Sequence, residues 1–367
     1  MALVAGRSAQ AQAAPVPAGP APSRRDLLLW IALPAVASAL LLSFTHELCV
    51  DVASVPFLWV LPLSLYLLSF IITFSGRKAL PRFLWLPAAA VALGVTAVVM
   101  AWHFDIALHG VVIAYSLCLL VLCIVLHGET FRIRPGPGRL TQFYLCVSLG
   151  GVLGGLFVAV IAPLVFPAPF EMPLALAACA LVLAICLWTD AQSPMHRGGW
   201  LATWGLIAAA TAALCVGLVW TQVARFEHSV LLSRNFYGTY IVLEPPTEGE
   251  ESWSRTLRSG TTMHGSQFME PEFRHWPTTY YARNGGVGLV MDTLPDEPRR
   301  VGVVGLGVGT LAAYGRKGDH YVFYEINPRC AEIARALRTY AHSSGGTLEP
   351  LDLNVVIRDA LLLTENL

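Results

Sequence analysis

Three glycines at alternate positions, Gly305, Gly307 and Gly309, follow the apolar run at residues 301–304, and Glu325 closes the next apolar run at 321–324. In order, this predicts a β-strand, a glycine-rich turn, a helix, a second strand and an acid at that strand's end. The chemistry such an order serves is nucleoside binding. Glycines without a Cβ let the backbone approach a ligand, and the acid accepts hydrogen bonds from two ribose hydroxyls. Glu325 stands twenty residues after Gly305, about the interval expected of a ribose-binding acid. The spacing is Gly-x-Gly-x-Gly rather than the dinucleotide Gly-x-Gly-x-x-Gly, which leans toward a sulfonium nucleoside of the S-adenosylmethionine type. The competing reading is a tight strand-to-helix turn in an inactive domain of Rossmann-like shape.

The elements that carry this turn are a minority of the chain. Its 367 residues are 55% apolar and 13% charged, with a mean hydropathy of +0.60, outside the range of an ordinary soluble protein. Residues 1–220 hold 10 Lys/Arg and 7 Asp/Glu, and residues 221–367 hold 14 and 17. The expected organisation is an Ala/Pro-rich disordered tail at 1–26 and a membrane region at 27–220. A small β-rich part follows at 221–300, then a nucleoside-binding part at 301–367. Seven apolar stretches, near 27–45, 53–74, 83–101, 106–126, 143–166, 172–188 and 200–220, approach the roughly 20 residues that cross a bilayer core of about 30 Å. The sixth is the shortest.

Basic residues mark alternate loops: Arg24 and Arg25, then Arg77, Lys78 and Arg82, then Arg132, Arg134 and Arg139. The positive-inside rule then places the N-terminus in the cytoplasm. Seven crossings would export the soluble part, away from any S-adenosyl nucleotide. The expectation that preserves the chemistry is a cytoplasmic soluble part, with one apolar stretch near the sixth or seventh re-entrant or interfacial. Gly150, Gly151, Gly154 and Gly155 give two overlapping Gly-x-x-x-Gly pairs, a surface on which helices pack closely. The eight cysteines show no zinc-ligand spacing and read as small apolar fillers. No metal is expected. His46, Glu47 and Asp51 read as a solvated connection at headgroup level.

Within 226–243, alternation around Arg234 and Asn235 predicts two strands, and 254–261 predicts a third. A small antiparallel sheet therefore precedes the nucleoside fold.

The order Leu257, Gly260, His264-Gly265, Gln267, Tyr280-Tyr281, the glycine turn, Glu325 and Arg358-Asp359-Ala360 resembles spermidine synthases. It is most similar to their bacterial membrane-fused relatives, in which a multi-helix segment precedes the synthase-like domain. The resemblance covers residues 221–367 and, loosely, 56–63. It implies an α-helical multi-pass region followed by α/β, with a small antiparallel sheet and the first half of a Rossmann-like sheet. It also implies aminopropyl transfer from decarboxylated S-adenosylmethionine (or S-adenosylmethionine) as co-substrate to putrescine or a related amine. The implied location is the bacterial inner membrane. Partners would be the bilayer and a polyamine, with a homo-oligomer allowed and no nucleic acid. Gly305, Gly307, Gly309, Glu325 and Asp359 would hold the nucleoside, Asp359 contacting adenine. Gln267, His264, Tyr280 and Tyr281 would meet the amine substrate. Each has an ordinary alternative: a turn cap for Gln267, a satisfied turn histidine for His264 and core aromatics for the tyrosines.

Two departures accompany the resemblance. Val308 stands where the soluble synthases carry an Asp that receives the aminopropyl ammonium, and valine cannot pair with a cation. The strand that carries the family's general-base Asp would follow Leu367, so no catalytic residue is assigned, and the expectation is an incomplete, inactive synthase-like domain. Two rivals remain: a membrane transporter or sensor with a nucleoside- or polyamine-binding domain, and an S-adenosylmethionine-dependent methyltransferase.

Overall fold

The computed structural model describes residues 21–52, 57–75, 80–102, 105–193, 195–198, 200–244, 253–260 and 262–336. The N-terminal part is a helical bundle: α1 (Arg24–His46), α2 (Phe57–Phe74), α3 (Arg82–Trp102), α4 (Leu108–Arg132), α5 (Leu140–Leu156), α6 (Ala162–Val165), α7 (Glu171–Thr189) and α8 (Leu201–Phe226). Two π-helical segments extend helices within it. Glu47–Val52 continues α1, and Phe157–Ile161 joins α5 to α6.

Helix α1 begins three residues earlier than the expected tail allows. Ser23 Oγ accepts from the Asp26 backbone N–H at 3.1 Å, and Asp26 Oδ2 accepts from the Ser23 N–H at 3.2 Å. This reciprocal capping box satisfies two of the orphan donors at the helix start, so Arg24 to Asp26 belong to the helix. Six helical segments are long and apolar enough to cross a membrane. The short one is α2, whose apolar run is Leu58–Phe74. The sixth stretch, expected to be the weakest, is a continuous 19-residue helix, α7.

Contacts at the helix ends show how the chain runs. At one end, Trp30 Nε1, early in α1, donates to the Ile133 carbonyl just past α4, at 3.0 Å. There too the ring of Phe74, the last residue of α2, meets Phe131 and Tyr144. Arg82, the first residue of α3, pairs with Glu129 near the end of α4 at 2.6 Å and with Asp190 just past α7 at 2.5 Å. Trp188 of α7 meets Trp204 of α8 there. At the other end, Glu47 beyond α1 pairs with Arg225 near the end of α8 at 3.6 Å, and Glu171 at the start of α7 pairs with Arg234 of the soluble part at 2.6 Å. Trp59 of α2 shares a cavity with His46 and Glu171 at this second end. The seven apolar helices (α5 and α6 counted as one) therefore alternate end to end, six of them long and apolar enough to cross a membrane. The sixth and seventh stretches, one of them expected to be re-entrant or interfacial, are both continuous helices, α7 and α8. The soluble part sits at the end opposite Arg24 and Arg25.

The tightest helix pair is α1 with α5. A Cβ built on Gly150 would lie 2.2 Å from the Ile31 carbonyl oxygen, and one on Gly154 would lie 2.0 Å from that of Ala35. Gly151 faces open space. Of the two overlapping glycine pairs, Gly150/Gly154 is thus the one that brings backbones together.

The soluble part opens with a four-stranded antiparallel meander: β1 (Ser229–Asn235), β2 (Gly238–Leu243), β3 (Ser254–Ser259) and β4 (Thr262–Phe268), in that spatial order. Three of these strands match the sequence expectation and β4 was not foreseen. A short helix α9 (Gly286–Thr293) leads to β5 (Arg300–Val304), which pairs in parallel with β6 (His320–Tyr324), Val301 opposite Tyr321. The helix expected between β5 and β6 is a single 3-10 turn, Thr310–Tyr314. Helix α10 (Pro328–Ala336) follows β6. Val242 and Leu257 of the meander share one apolar core with Val308, Phe323, Cys330 and Ile333. The strand expected near Leu353 lies outside the described residues.

Two outcomes follow from this architecture. Gly154→Val should force α1 and α5 apart and cost about 1–3 kcal/mol or more through overpacking, read as a lowered Tm of the detergent-solubilised protein, whereas Gly151→Ala should leave it near the parent value. The alternation of passes should also put the soluble part across the membrane from the α4–α5 loop. With an impermeant thiol reagent on sealed vesicles, Phe236→Cys, at a hairpin tip that is 94% exposed, should label from one face and Gly138→Cys from the other. Labelling of both from the same face would refute the seven-pass arrangement.

Candidate functional site

β5 delivers the chain into the turn at residues 305–309. Gly305, Gly307 and Gly309 have φ of +90°, +56° and +74°, in the left-handed region that side chains with a Cβ disfavour. The Gly305 N–H donates to the Tyr324 carbonyl at 2.7 Å, and the Gly309 N–H to that of Leu306 at 2.9 Å. The sequence spacing therefore marked a real backbone requirement. For Gly307 there is a second reason: a Cβ there would sit 2.5 Å from the His264 carbonyl oxygen. Close approach of β4 demands that glycine.

Glu325 stands one residue past β6, 9% exposed. Its Oε2 accepts from the Leu306 N–H of the turn at 2.9 Å, and its Oε1 accepts from the Asn327 N–H at 2.8 Å. The acid thus bridges the turn to the start of α10. Asn327 caps that helix, its Oδ1 accepting from the Arg329 N–H at 3.1 Å, with Pro328 at the first helical position. The side chains of β1 fasten the same point. Asn235 Nδ2 donates to Asn327 Oδ1 at 2.6 Å, and Arg329 Nε donates to Ser233 Oγ at 2.7 Å.

Around the acid lie three groups whose neutral forms are favoured. Burial first, then the charge of Glu325, pushes the Cys330 thiol up to about 12, and its Sγ reaches the Gly307 carbonyl at 3.4 Å. Burial, then Cys330 and Glu325, raises the Tyr240 phenol. Burial lowers His264 below the usual imidazole range, with Glu325 opposing. His264 and Tyr240 meet edge to face at 6.0 Å between ring centroids. Tyr240 and Asn327 went unread in the sequence, and Asn235 was read only as the centre of a hairpin. The Asn327-Pro328 step was a legible helix start, but the pairing with β1 has no local signal.

The structure brings Gly305, Gly307, Gly309, Glu325 and His264 together. Gln267 is buried in a crevice between the meander and the turn, its Nε2 donating to the Arg274 carbonyl at 3.2 Å. Val308 lines the same crevice and is pressed against β4, where a Cβ on Gly265 would meet its Cγ2 at 2.5 Å. Tyr280 and Tyr281 stand apart from it, rings 4.4 Å from each other, Tyr280 exposed and the Tyr281 carbonyl accepting from the Tyr314 hydroxyl at 2.5 Å. Burial and Tyr280 push the Tyr281 phenol up to about 12. Asp359 lies outside the described residues.

In donor and acceptor type the turn and Glu325 suit a ribose: each carboxylate oxygen spends one lone pair on the backbone and has a second. In volume they do not. The crevice before the turn is about 20 Å³, room for about one water, whereas small-molecule sites run to roughly 300–1,000 Å³. No family model, curated protein or solved structure matches the chain.

The bridging role predicts its own measurement. Glu325→Gln places an amide N–H₂ against one of two backbone N–H donors, and leaving a buried donor unmet costs about 1–3 kcal/mol. Amide hydrogen exchange should quicken at Leu306 and Asn327. Unaltered protection at both would show that the carboxylate does not hold the turn.

Proposed function

We propose that this is a multi-pass membrane protein whose soluble part binds an S-adenosyl-type nucleoside at the 305–309 turn. More narrowly, it is a relative of the aminopropyltransferases, taking decarboxylated S-adenosylmethionine as donor and putrescine or a related diamine as acceptor. The observation that carries this reading is the direct bond from Glu325 to the Leu306 N–H. It puts the strand-end acid and the glycine turn in one place, as a Rossmann-like nucleoside site requires. Entry of the nucleoside needs the His264-Gly265 segment of β4 to lift from Gly307 and Val308, because the crevice is too small while they touch. In aminopropyl transfer an amine nitrogen attacks the carbon beside the sulfonium, the C–S bond breaks, methylthioadenosine leaves, and the new ammonium loses a proton. What this chain's residues contribute is positioning.

A sensor or transporter is the second reading, and one observation favours it. The basic residues Arg132, Arg134 and Arg139 cluster at the bundle end opposite the soluble part, and the positive-inside rule would then place that part away from the cytoplasm. There the domain would read a small molecule rather than consume a cytoplasmic nucleotide.

Calorimetry on the full-length protein tests the nucleoside site. Methylthioadenosine should bind, and Glu325→Ala should weaken it at least about tenfold, since hydrogen bonds to a charged group contribute roughly 1.5–3 kcal/mol. Equal affinity in the variant removes Glu325 from the site. Decarboxylated S-adenosylmethionine binding no better than S-adenosylmethionine would favour a methyltransferase over an aminopropyltransferase.

A further inference from the structure

Strand β1 starts three residues after α8 ends and is held to the corner of the bundle where α7 begins. The Phe226 ring, closing α8, meets Phe170 edge to face at 6.0 Å. Arg234, near the far end of the strand, pairs with Glu171 at 2.6 Å and donates to the Ala168 carbonyl at 3.3 Å. These ties keep the strand lying against the end of the bundle. Helix α7 has 19 residues, and crossing a bilayer core takes roughly 20. Glu171, its first residue, therefore stands at the edge of the hydrocarbon, and Arg234 reaches to it.

Alternation along β1 then decides which side chains turn toward that edge. Leu231 packs on the apolar core of the soluble part, and Ser233 and Asn235 bond Arg329 and Asn327. The opposite row is Leu232 and Arg234, with Ile241 of β2 directly across from Leu232, and Phe236 continues it from the loop that joins Asn235 to Gly238. Phe236 is 94% exposed, and the ring it meets edge to face, Tyr237, is itself exposed. A phenylalanine so placed leaves a large apolar area uncovered. The bundle surface alongside shows what lies there. Helix α6 packs on β1, and its Pro163 shares a cavity wall with Arg234. The next two residues of α6, Leu164 and Val165, are 81% and 65% exposed, at the end of a segment, Pro137–Val165, that is long and apolar enough to cross a membrane. The apolar surface of the bundle thus runs on, at its rim, to the hairpin.

We propose that the β1–β2 hairpin rests on the bilayer, with Phe236 and Tyr237 in the headgroup layer. Aromatic residues gather at that level, and Tyr237 has both the apolar ring and the polar tip that suit it. The layer is wet, so a thiol at position 236 remains open to a water-borne reagent. Arg234, the cation of the row, is already paired with Glu171, so the surface requires no particular headgroup charge. Lipid then holds the soluble part to the membrane together with the Arg234–Glu171 pair. The proposal rests on the reading of the bundle as membrane-spanning and is independent of the nucleoside turn.

The test is photo-crosslinking of the full-length protein in phospholipid vesicles, with benzoylphenylalanine in place of Phe236, Leu164 or Leu289. Leu164 checks the membrane reading itself, and Leu289, exposed on α9, reports capture by chance. Phospholipid adducts should form at 236 and 164 and be lost at 289. Lipid captured at 164 but not at 236 overturns the proposal and leaves the membrane bundle standing, whereas none at either position overturns both. Equal capture at 236 and 289, or an adduct from 236 to a second copy of the chain in place of lipid, also overturns it. Phe236→Ser gives a second reading, by amide hydrogen exchange in the same vesicles. The Tyr237 N–H donates to Asn235 Oδ1 at 3.0 Å, a local bond that the substitution leaves in place. Exchange at Tyr237 and Gly238 should quicken about tenfold, the scale of partly burying a phenylalanine. Unchanged exchange at both would mean that the ring rests on nothing.

Discussion

A hydrocarbon layer leaves backbone N–H and C=O groups nothing to bond but each other, and six helices of the bundle are long and apolar enough to lie across one. Each pass must be a whole helix, and each change of direction must fall at an end. The end contacts obey that rule, with Arg82, Glu129 and Asp190 gathered at one end and Glu47, Glu171, Arg225 and Arg234 at the other. Counted with α2, seven helices put Arg24 and β1 at opposite ends of the bundle. That parity, rather than any single contact, sets the terms on which the nucleoside reading stands.

The same demand for backbone partners shapes the soluble part on a smaller scale. A turn with three left-handed glycines exposes N–H groups beyond the one, at Gly305, that β6 receives. Glu325 takes one of them and, with its other oxygen, the N–H of Asn327. The result is a closed joint between turn and helix, against which β4 lies so closely that Gly307 and Gly265 tolerate no Cβ. A residue type chosen for binding and one chosen for bracing are here the same. A carboxylate at a strand end has enough lone pairs for both tasks, but the space before it is filled by β4.

Legibility in the sequence followed how local each signal was. The glycine turn, the strands on either side of it, the Gly150/Gly154 contact and the first three meander strands are written in spacing alone. β4 was missed because Gly265 and the polar pair Ser266-Gln267 interrupt its alternation, and the strand is supported by pairing with β3 rather than by its own pattern. The expected helix after the turn shrank to a 3-10 turn because Gly315 and Gly318 lie within the fifteen residues, 305–319, that join the two strands. The capping box at Ser23 and Asp26 was readable but masked by the Ala/Pro-rich composition before it. Apolar length misjudged which pass is weak: α7 is long enough and α2 is not.

Strand β1 joins what the sequence kept apart. Successive side chains of a strand point to opposite faces, and here the faces have different partners. Ser233 and Asn235 bond Arg329 and Asn327, beside the acid that braces the turn. Arg234, between them, points to the bundle and pairs with Glu171 in the wall of the membrane-end cavity. Loss of the Arg234–Glu171 pair would therefore loosen one face of a strand whose other face holds the start of α10 and, through Asn327, Glu325 itself. The soluble part is more than tethered to the bundle, because its first strand carries contacts from both regions on alternate residues.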